Sequence, residues 1–186
     1  MISIEFTQEE ISFIANTGEA RHIEMRGVGN IAAYNNNAAT LTPLQADRLG
    51  VMAEAAVAKW LGLDITNLPL DIWPSFVKKE DLKKYNNGDV FHNGIKYEVR
   101  RVEKLGNPVP IREKDIEAGV IIIQVYVPYS KKANGRITIP TEAIIVGFCN
   151  TTSDYESGWK PWWRKDNITR VNDPRPIEEL REEVAA

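Results

Sequence analysis

The predicted fold is decided by one stretch, Gly88-Asp89-Val90-Phe91-His92-Asn93-Gly94-Ile95-Lys96-Tyr97-Glu98-Val99-Arg100. Within it, Asn93-Gly94 separates two runs of alternating apolar and polar residues, which is the strongest short-range signal for a two-residue β-hairpin turn. Counting outward from this turn places Asp89 opposite Glu98 on the neighbouring strand. The two carboxylates would then face each other with Cβ atoms roughly 5 Å apart.

Two opposed acids in a hairpin require an explanation, because like charges directly opposite each other destabilise a sheet. Strand alternation puts Arg100 on the same face as Glu98. A divalent cation between the carboxylates would reverse the repulsion, since Mg²⁺ and Mn²⁺ prefer carboxylate oxygens. The alternative is that Asp89 follows Gly88 in a turn while Glu98 pairs with Lys96 or Arg100 at a sheet edge. A one-residue change in register would also separate the two acids.

A long helix is predicted upstream of the hairpin, from Thr42 to about Leu61. Thr42-Pro43-Leu44-Gln45 supplies a capping box with proline at the first helical position, and Gly62 ends the helix. Glu54 is a lone acid among small and apolar residues of this helix. It is either a third carboxylate directed at the hairpin or an acid at the boundary of the buried face that reaches water.

The other elements are predicted from caps and apolar runs. Thr7-Gln8-Glu9-Glu10 predicts a short helix that stops near Gly18. The almost continuous apolar run Val120 to Val127 predicts a strand that is covered on both faces. A further strand is predicted at Ala143 to Phe148, and a short charged helix at Ile177 to Glu183.

These elements predict an α/β or α+β fold, with a mixed central sheet flanked by helices and the long helix against the hairpin sheet. A chain of 186 residues without a break in composition is expected to form a single domain over residues 1–186. Its core is expected at about residues 42–150, with a helix and loop extension over residues 1–41. The C-terminal extension, residues 151–186, contains a Trp-rich part, Ser157 to Arg175, which is predicted to be irregular.

The composition narrows the functional classes only coarsely. An apolar fraction of 43% and a charged fraction of 26% are typical of a globular protein, and a net charge of −3 argues against a protein that coats nucleic acid by charge alone. The single Cys149 indicates a reducing compartment, so a cytoplasmic location is expected. No segment approaches the ~20 apolar residues of a membrane span, and no signal-peptide layout is present, so no membrane partner is expected. The oligomeric state is left open, a homodimer included.

The order of these motifs resembles that of the PD-(D/E)XK nucleases. Their signature is a Glu on a helix, an Asp on one strand and Glu-x-Lys on the next, and this chain has Glu54, Asp89 and Glu98-Val99-Arg100. The resemblance is closest to a set of phage and prophage proteins with this core, and it covers roughly residues 42 to 180. The downstream stretches that carry it are Pro110-Ile111-Arg112-Glu113-Lys114-Asp115, Val120 to Val127, Ile145-Val146-Gly147-Phe148 and Pro176-Ile177-Glu178-Glu179-Leu180.

The resemblance implies a restriction-endonuclease-like core and Mg²⁺-dependent or Mn²⁺-dependent hydrolysis of phosphodiester bonds in DNA, with a 5′-phosphate product. Asp89, Glu98 and the backbone carbonyl of Val99 would bind the metal, and Glu54 would support the metal directly or through water. The metal would polarise the scissile phosphate and activate the attacking water.

Arg100 departs from the family pattern, because it stands where the family has lysine. An arginine pKa above ~12 makes this residue a poor base. Two other functions therefore stay open. One is a catalytically inactive relative that binds DNA or a protein, and the other is a structural or assembly protein whose acids are surface charges.

Cations and aromatic residues mark candidate contacts with DNA. The stretch Trp159-Lys160-Pro161-Trp162-Trp163-Arg164-Lys165 has a composition suited to stacking on bases and contacting phosphates, although its tryptophans could instead cover the sheet as a satellite core. The predicted DNA contacts are Arg101, Lys104, Trp162, Trp163 and Arg164.

Overall fold

The computed structural model describes residues 1–27, 41–68, 89–152, 154, 161–163, 168–171 and 174–180. The helices are α1 Gln8–Gly27, α2 Pro43–Trp60 and α3 Glu113–Glu117, with a 3₁₀ turn at Ile65–Asn67. The strands are β1 Ile2–Glu5, β2 Val90–His92, β3 Ile95–Val102, β4 Val109–Arg112, β5 Ile121–Tyr126, β6 Ser130–Lys131, β7 Ile137–Thr138, β8 Glu142–Asn150, β9 Pro161–Trp163 and β10 Ile168–Val171.

The central sheet has five strands in the order β1-β8-β5-β3-β2. Strands β3 and β5 are parallel, and the other neighbouring pairs are antiparallel. Two smaller sheets, β4-β10-β9 and β6-β7, accompany it. The prediction of an α/β or α+β fold with a mixed central sheet and flanking helices is therefore confirmed.

The hairpin forms at the predicted turn. Asn93 and Gly94 have φ values of 50° and 80°, the positive φ at both central residues that a type I′ turn requires. Val90 pairs with Tyr97 and His92 with Ile95, as the count from the turn predicted, but the ladder ends at Val90 and does not include the predicted pairing of Asp89 with Glu98. Tyr97 and Val99 are buried on the face that joins the main core, so alternation directs the intervening even-numbered residues to the other face.

Strand β5 is covered on both faces, as its apolar run predicted. Ile121, Ile123 and Val125 belong to the main core beneath the helices. Ile122 alternates with them and packs with Cys149 in a second cluster, to which strand β4 also contributes. The small sheet β4-β10-β9 and helix α3 therefore lie on the face opposite α1 and α2.

Helix α2 confirms its predicted caps and packs across the central sheet. The Gln45 amide donates to Thr42 Oγ1 at 3.3 Å, while the Thr42 amide donates to Gln45 Oε1 at 2.8 Å. Gly62 follows the helix with a φ of 83°. The helix contacts all the strands of the central sheet, so it supplies most of one layer of the core.

Helix α1 begins at its predicted capping box, but the predicted stop near Gly18 is wrong. The Glu10 amide donates to Thr7 Oγ1 at 3.2 Å, and the helix then continues through Gly18 to Gly27. A Cβ at residue 18 would lie 2.7 Å from the Cα of Arg48, so this glycine permits a close approach of α1 to α2 rather than ending α1.

Both ends of the chain contribute to the sheets. Strand β1 was not predicted, yet it pairs with β8 and forms an edge of the central sheet. The Trp-rich part was predicted as irregular, but it contains strands β9 and β10, which pair with each other and with β4. Residues 177–180 are helical as predicted, and the rest of that predicted helix lies outside the described residues. Within the part of the chain that is described, no helix is both long and apolar enough to cross a membrane.

Candidate functional site

Asp89 lies immediately before β2, where the hairpin ladder ends. Its amide donates to the carbonyl of Tyr97 at 2.8 Å, and its Oδ2 accepts a hydrogen bond from the amide of Val99, also at 2.8 Å. The Asp89 carboxylate thus accepts the hydrogen bond from the Val99 amide of β3, because β2 is too short to pair with that residue. Because the N–H and C=O of one strand residue leave the strand on the same edge, the Val99 carbonyl lies on Asp89's side of β3.

The pKa of Asp89 is raised well above its ordinary value. Burial is the largest cause, and the negative charges of Glu98 and then Glu54 add to it, while Arg100 and the hydrogen bond from Val99 oppose it. Glu98 on β3 and Glu54 on α2 are therefore each close enough to Asp89 to repel its charge.

Arg100 divides its guanidinium between two acids. Its Nη1 contacts Glu98 Oε1, and its Nη2 lies 2.7 Å from Asp115 Oδ2. Asp115 is 3% exposed and also accepts a hydrogen bond from the Arg112 amide at 2.9 Å, so α3 fixes its carboxylate. Burial alone would lower the pKa of Arg100, but Glu98, Asp115 and Asp89 outweigh burial and raise it. Arg100 is a permanent cation here and does not accept a proton.

Arg21 holds Glu54 from the opposite direction. Its Nη1 donates to Glu54 Oε1 at 2.8 Å and its Nη2 to Oε2 at 2.7 Å, which is a bidentate pair between α1 and α2. Glu54 is 6% exposed, so the alternative that its carboxylate reaches water is not what the structure shows. Burial lowers the pKa of Arg21, but Glu54, Asp89 and Asp47 together raise it.

A second buried pair extends this polar layer between the two helices. His22 Nδ1 lies 2.8 Å from Asp47 Oδ2, and both side chains are buried. Since Asp47 also acts on Arg21, charged groups continue from the carboxylate site into the contact between α1 and α2.

The donor set can be compared with the metal that the resemblance implies. No group of three or more His, Cys, Asp and Glu side chains among the described residues is arranged to hold a metal ion. Two carboxylates remain suitable, because the hydrogen bonds of the described residues use Asp89 Oδ2 and Glu98 Oε1 and leave Asp89 Oδ1 and Glu98 Oε2 as acceptors. Mg²⁺ is commonly bound by one or two carboxylates and keeps several waters. The residues present therefore fit a two-carboxylate magnesium site that includes the Val99 carbonyl.

The predicted DNA contacts are only partly described. Arg101 is half-buried and its Nη2 lies 2.6 Å from Glu103 Oε1, whereas Lys104 is exposed in the turn after β3. The backbones of Trp162 and Trp163 lie in β9, and Arg164 lies outside the described residues. These residues stay predictions.

Two residues of the site were missed from the sequence. Arg21 lies beyond the predicted end of the first helix near Gly18, where no element was predicted, and it is 33 positions from Glu54. A helix continued past Gly18 would have placed Arg21 one turn beyond that glycine. Asp115 was quoted in a motif without a role, and a buried acid at the start of a short helix is the feature that could have indicated one.

Comparisons with known proteins add no family to this geometry: no family model, no curated protein and no solved structure matches the chain. The site must therefore be interpreted from its own residues.

Proposed function

We propose that the protein is a metal-dependent nuclease of the PD-(D/E)XK type that hydrolyses phosphodiester bonds in DNA, in a phage or prophage setting. The observation that carries the proposal is the position of Asp89: its Oδ2 accepts a hydrogen bond from the amide of Val99 at 2.8 Å, next to Glu98 in the chain, and the charges of Glu98 and Glu54 add to burial in raising its pKa. The guanidinium of Arg21 pairs with Glu54, and that of Arg100 lies against Glu98 and Asp115. Buried carboxylates in excess of cations favour the uptake of a divalent cation.

Metal binding and phosphate binding would fall to different residues of the site. Asp89, Glu98 and the Val99 carbonyl would hold Mg²⁺ or Mn²⁺, which when bound polarises a phosphate and lowers the pKa of a bound water. Asp89 must lose its proton before it can act as a ligand, so cation binding should strengthen as the pH rises. Arg100 supplies fixed positive charge for the phosphate and no proton acceptor.

The proposal is tested with the purified full-length chain, plasmid or linear DNA, and Mg²⁺ or Mn²⁺. Cleavage is expected with either metal, and Asp89→Asn and Glu98→Gln are each expected to lower the rate by ~10²–10³-fold, as loss of a group that stabilises transition-state charge does. Glu19→Gln, which changes an acid of α1 that pairs with Arg48, is the matched control and should cleave normally. Cleavage that survives both site substitutions would reject the assignment.

A second function is favoured by one observation, the occupation of Glu98 and Asp115 by Arg100. A guanidinium that bridges two acids can replace a metal as their counter-ion, and the chain would then be an inactive nuclease-like module that binds DNA or a protein. Binding of DNA without cleavage, unaffected by Asp89→Asn or Glu98→Gln, would support this function.

Arg100→Lys sharpens the choice between the two functions, since it restores the residue type of the family. A faster cleavage rate would show that the arginine handicaps an active enzyme. No cleavage in Arg100→Lys with either metal would favour the binding module.

The setting of the protein follows from the same proposal. DNA hydrolysis with a buried free Cys149 fits the reducing cytoplasm, and both the strand structure of the DNA and the oligomeric state, a homodimer included, stay open.

A further inference from the structure

The hairpin formed by β6 and β7 carries three cations within six residues. Lys131, Lys132 and Arg136 are all exposed, and no acid occurs in the sequence between Glu117 and Glu142. The chain as a whole has a formal net charge of −3, so the hairpin is a local concentration of positive charge on an acidic protein. A local basic surface of this kind attracts anions even when the net charge of the protein is negative.

The three cations of the hairpin lie close together. The Lys132 amide donates to the carbonyl of Arg136 at 2.8 Å, so these two residues face each other across the turn. A Cβ at Gly135 would lie 4.0 Å from the Cε of Lys131, so the Lys131 side chain extends over the same turn. Like charges placed opposite each other destabilise a hairpin. An anionic partner would offset this repulsion.

The turn that carries the cations is held in one conformation. Gly135 has a φ of 78°, which suits the left-handed position of a three-residue hairpin loop, and its amide donates to the Lys132 carbonyl at 2.9 Å. The Arg136 amide donates to Asn134 Oδ1 at 3.1 Å. Gln45 Nε2 of α2 donates to the Gly135 carbonyl at 3.0 Å and so ties the turn to the helical layer. A turn ordered in advance loses less conformational entropy when it binds a partner.

A cavity of about 400 Å³ separates the hairpin from the start of α2. Lys131 and Arg136 line it, and no acid does so among the described residues. Glu103 accepts a hydrogen bond from the hydroxyl of Tyr129, just before the hairpin, at 3.0 Å, but Glu103 is itself paired with Arg101 at 2.6 Å. This acid therefore does not neutralise the hairpin, and the cavity offers an anion two cations.

The hairpin is within reach of the same nucleic-acid segment as the carboxylate site. Ile122 of β5 pairs with Glu98 in the parallel ladder, and the hairpin begins at Ser130, further along the same chain. At ~3.3 Å per residue, the chain from Ile122 to Ser130 spans roughly 26 Å. A duplex that rises ~3.4 Å per base pair covers this length in about eight base pairs.

We propose that the β6–β7 hairpin binds the phosphate backbone of nucleic acid through Lys131, Lys132 and Arg136, outside the carboxylate site. Contacts with phosphates supply affinity and position the nucleic acid, and they do not select a sequence. The proposal rests on the proposed function only in taking DNA as the polyanion.

The test measures how the affinity for DNA depends on salt. The full-length protein is titrated onto a fluorescently labelled duplex of about 20 base pairs, without divalent cations, and anisotropy is followed from about 50 to about 200 mM KCl. Each phosphate contact contributes ~0.9 to the slope of log affinity against log salt concentration. Arg136→Gln should therefore lower the slope by about 1, and Lys131→Gln/Lys132→Gln/Arg136→Gln by about 2–3.

Arg48→Gln is the matched control, because it also removes one arginine, from α2, but one whose charge Glu19 already pairs. It should keep the wild-type slope. The substituted side chains of the hairpin are exposed and the turn residues Asn134 and Gly135 are kept, so circular dichroism should show the variants folded.

A triple variant with the wild-type slope would overturn the proposal. An equal loss in Arg48→Gln and Arg136→Gln would also overturn it, because the loss would then reflect net charge alone. Polyglutamate serves as a second probe: if the triple variant loses polyglutamate binding and keeps DNA binding, the hairpin serves an acidic protein partner and the proposal fails.

Cleavage in Mg²⁺ separates this proposal from the proposed function. Binding that depends on the hairpin, without cleavage that depends on Asp89, would overturn the nuclease and support the hairpin interface. Cleavage that depends on Asp89, with an unchanged slope in the triple variant, would do the reverse. A wild type that does not bind DNA would overturn both.

Discussion

Two arginines hold acids near Asp89, and they hold them in different ways. Both terminal nitrogens of Arg21 donate to the single carboxylate of Glu54, which gives a bidentate ion pair with no net charge. Arg100 shares its nitrogens between Glu98 and Asp115, so one guanidinium faces two acids. The difference lies in how many acids each cation serves: the guanidinium of Arg21 contacts one carboxylate, whereas that of Arg100 contacts two.

The largest expected effect comes from removing each arginine. Arg100→Met should destabilise the protein by about 4–5 kcal/mol, because two buried acids lose their partner, and Arg21→Met by about 3 kcal/mol, because one does. The Arg21 side chain is 23% exposed and that of Arg100 is 11% exposed, so the loss of stability in Arg21→Met should be smaller for this reason as well. Urea unfolding at neutral pH without divalent cations measures both.

A double variant tests whether the cost of Arg21→Met comes from leaving Glu54 without its partner. Arg21→Met/Glu54→Met removes both charges and should cost less than Arg21→Met alone, since no buried charge is left unpaired. Equal losses in the single and double variants would mean that Glu54 is solvated when Arg21 is absent, and the comparison of the two arginines would fail.

The second prediction changes the packing of α1 against α2, which brings Arg21 to Glu54, and leaves both charged residues in place. Gly18→Ala should cost about 1–3 kcal/mol, because its Cβ would lie 2.7 Å from the Cα of Arg48 and 2.8 Å from its Cγ. Gly50→Ala is the matched control: its Cβ meets nothing closer than 4.0 Å, so helix propensity should stabilise it by up to about 1 kcal/mol. Thermal unfolding followed by circular dichroism measures both, and opposite signs are expected.

The third prediction concerns the burial of Asp89 and the negative charges near it. Its raised pKa means that the folded protein binds the proton more tightly than the unfolded chain does, so stability falls as pH rises above the unfolded pKa of about 4. Asp89→Asn should therefore raise Tm at pH 7 by about 2–4 °C, the shift that about 1 kcal/mol gives in a domain of this size.

The pH and the cation provide the controls for this gain. The advantage of Asp89→Asn should disappear below about pH 4, where folded and unfolded wild type are both protonated. Mg²⁺ should raise the Tm of the wild type and not that of the variant. A variant less stable than the wild type at pH 7 would show that the hydrogen bond from Val99 outweighs the charge repulsion.

The smallest effect is expected from the exposed ion pair between the same two helices. Glu19→Gln should change the free energy of unfolding by less than about 0.5 kcal/mol, because Glu19 is 53% exposed and water replaces Arg48 as its partner. A loss close to that of Arg21→Met would show that burial is not what separates these ion pairs.

The sequence predicted those elements whose signals are local. The capping box at Thr42, the Asn93-Gly94 turn and the two-sided apolar run of β5 depend on neighbouring residues, and the structure has all three. The prediction that the first helix ends near Gly18 was wrong because the neighbouring sequence does not show which role a glycine has. It can end a helix, or it can lie inside a helix and let a second helix pack closely against it. Strand β1 was missed because four residues of alternating polarity acquire their meaning only when β8 lies beside them.

The candidate site divides in the same way. Glu54, Asp89, Glu98 and Arg100 could be selected from residue type, spacing and the hairpin count, since these features are written along the chain. The partners of these residues could not, because Arg21 and Asp115 reach them only after α1 has packed on α2 and α3 has packed beside β3 and β4. Local sequence determines which side chains lie on the same face of a helix or strand. The charges around a buried carboxylate come instead from several elements that are distant in sequence. For this reason the amino-acid sequence alone determined the elements with local signals and the candidate acids, and only the tertiary structure decided which arginine pairs with which acid.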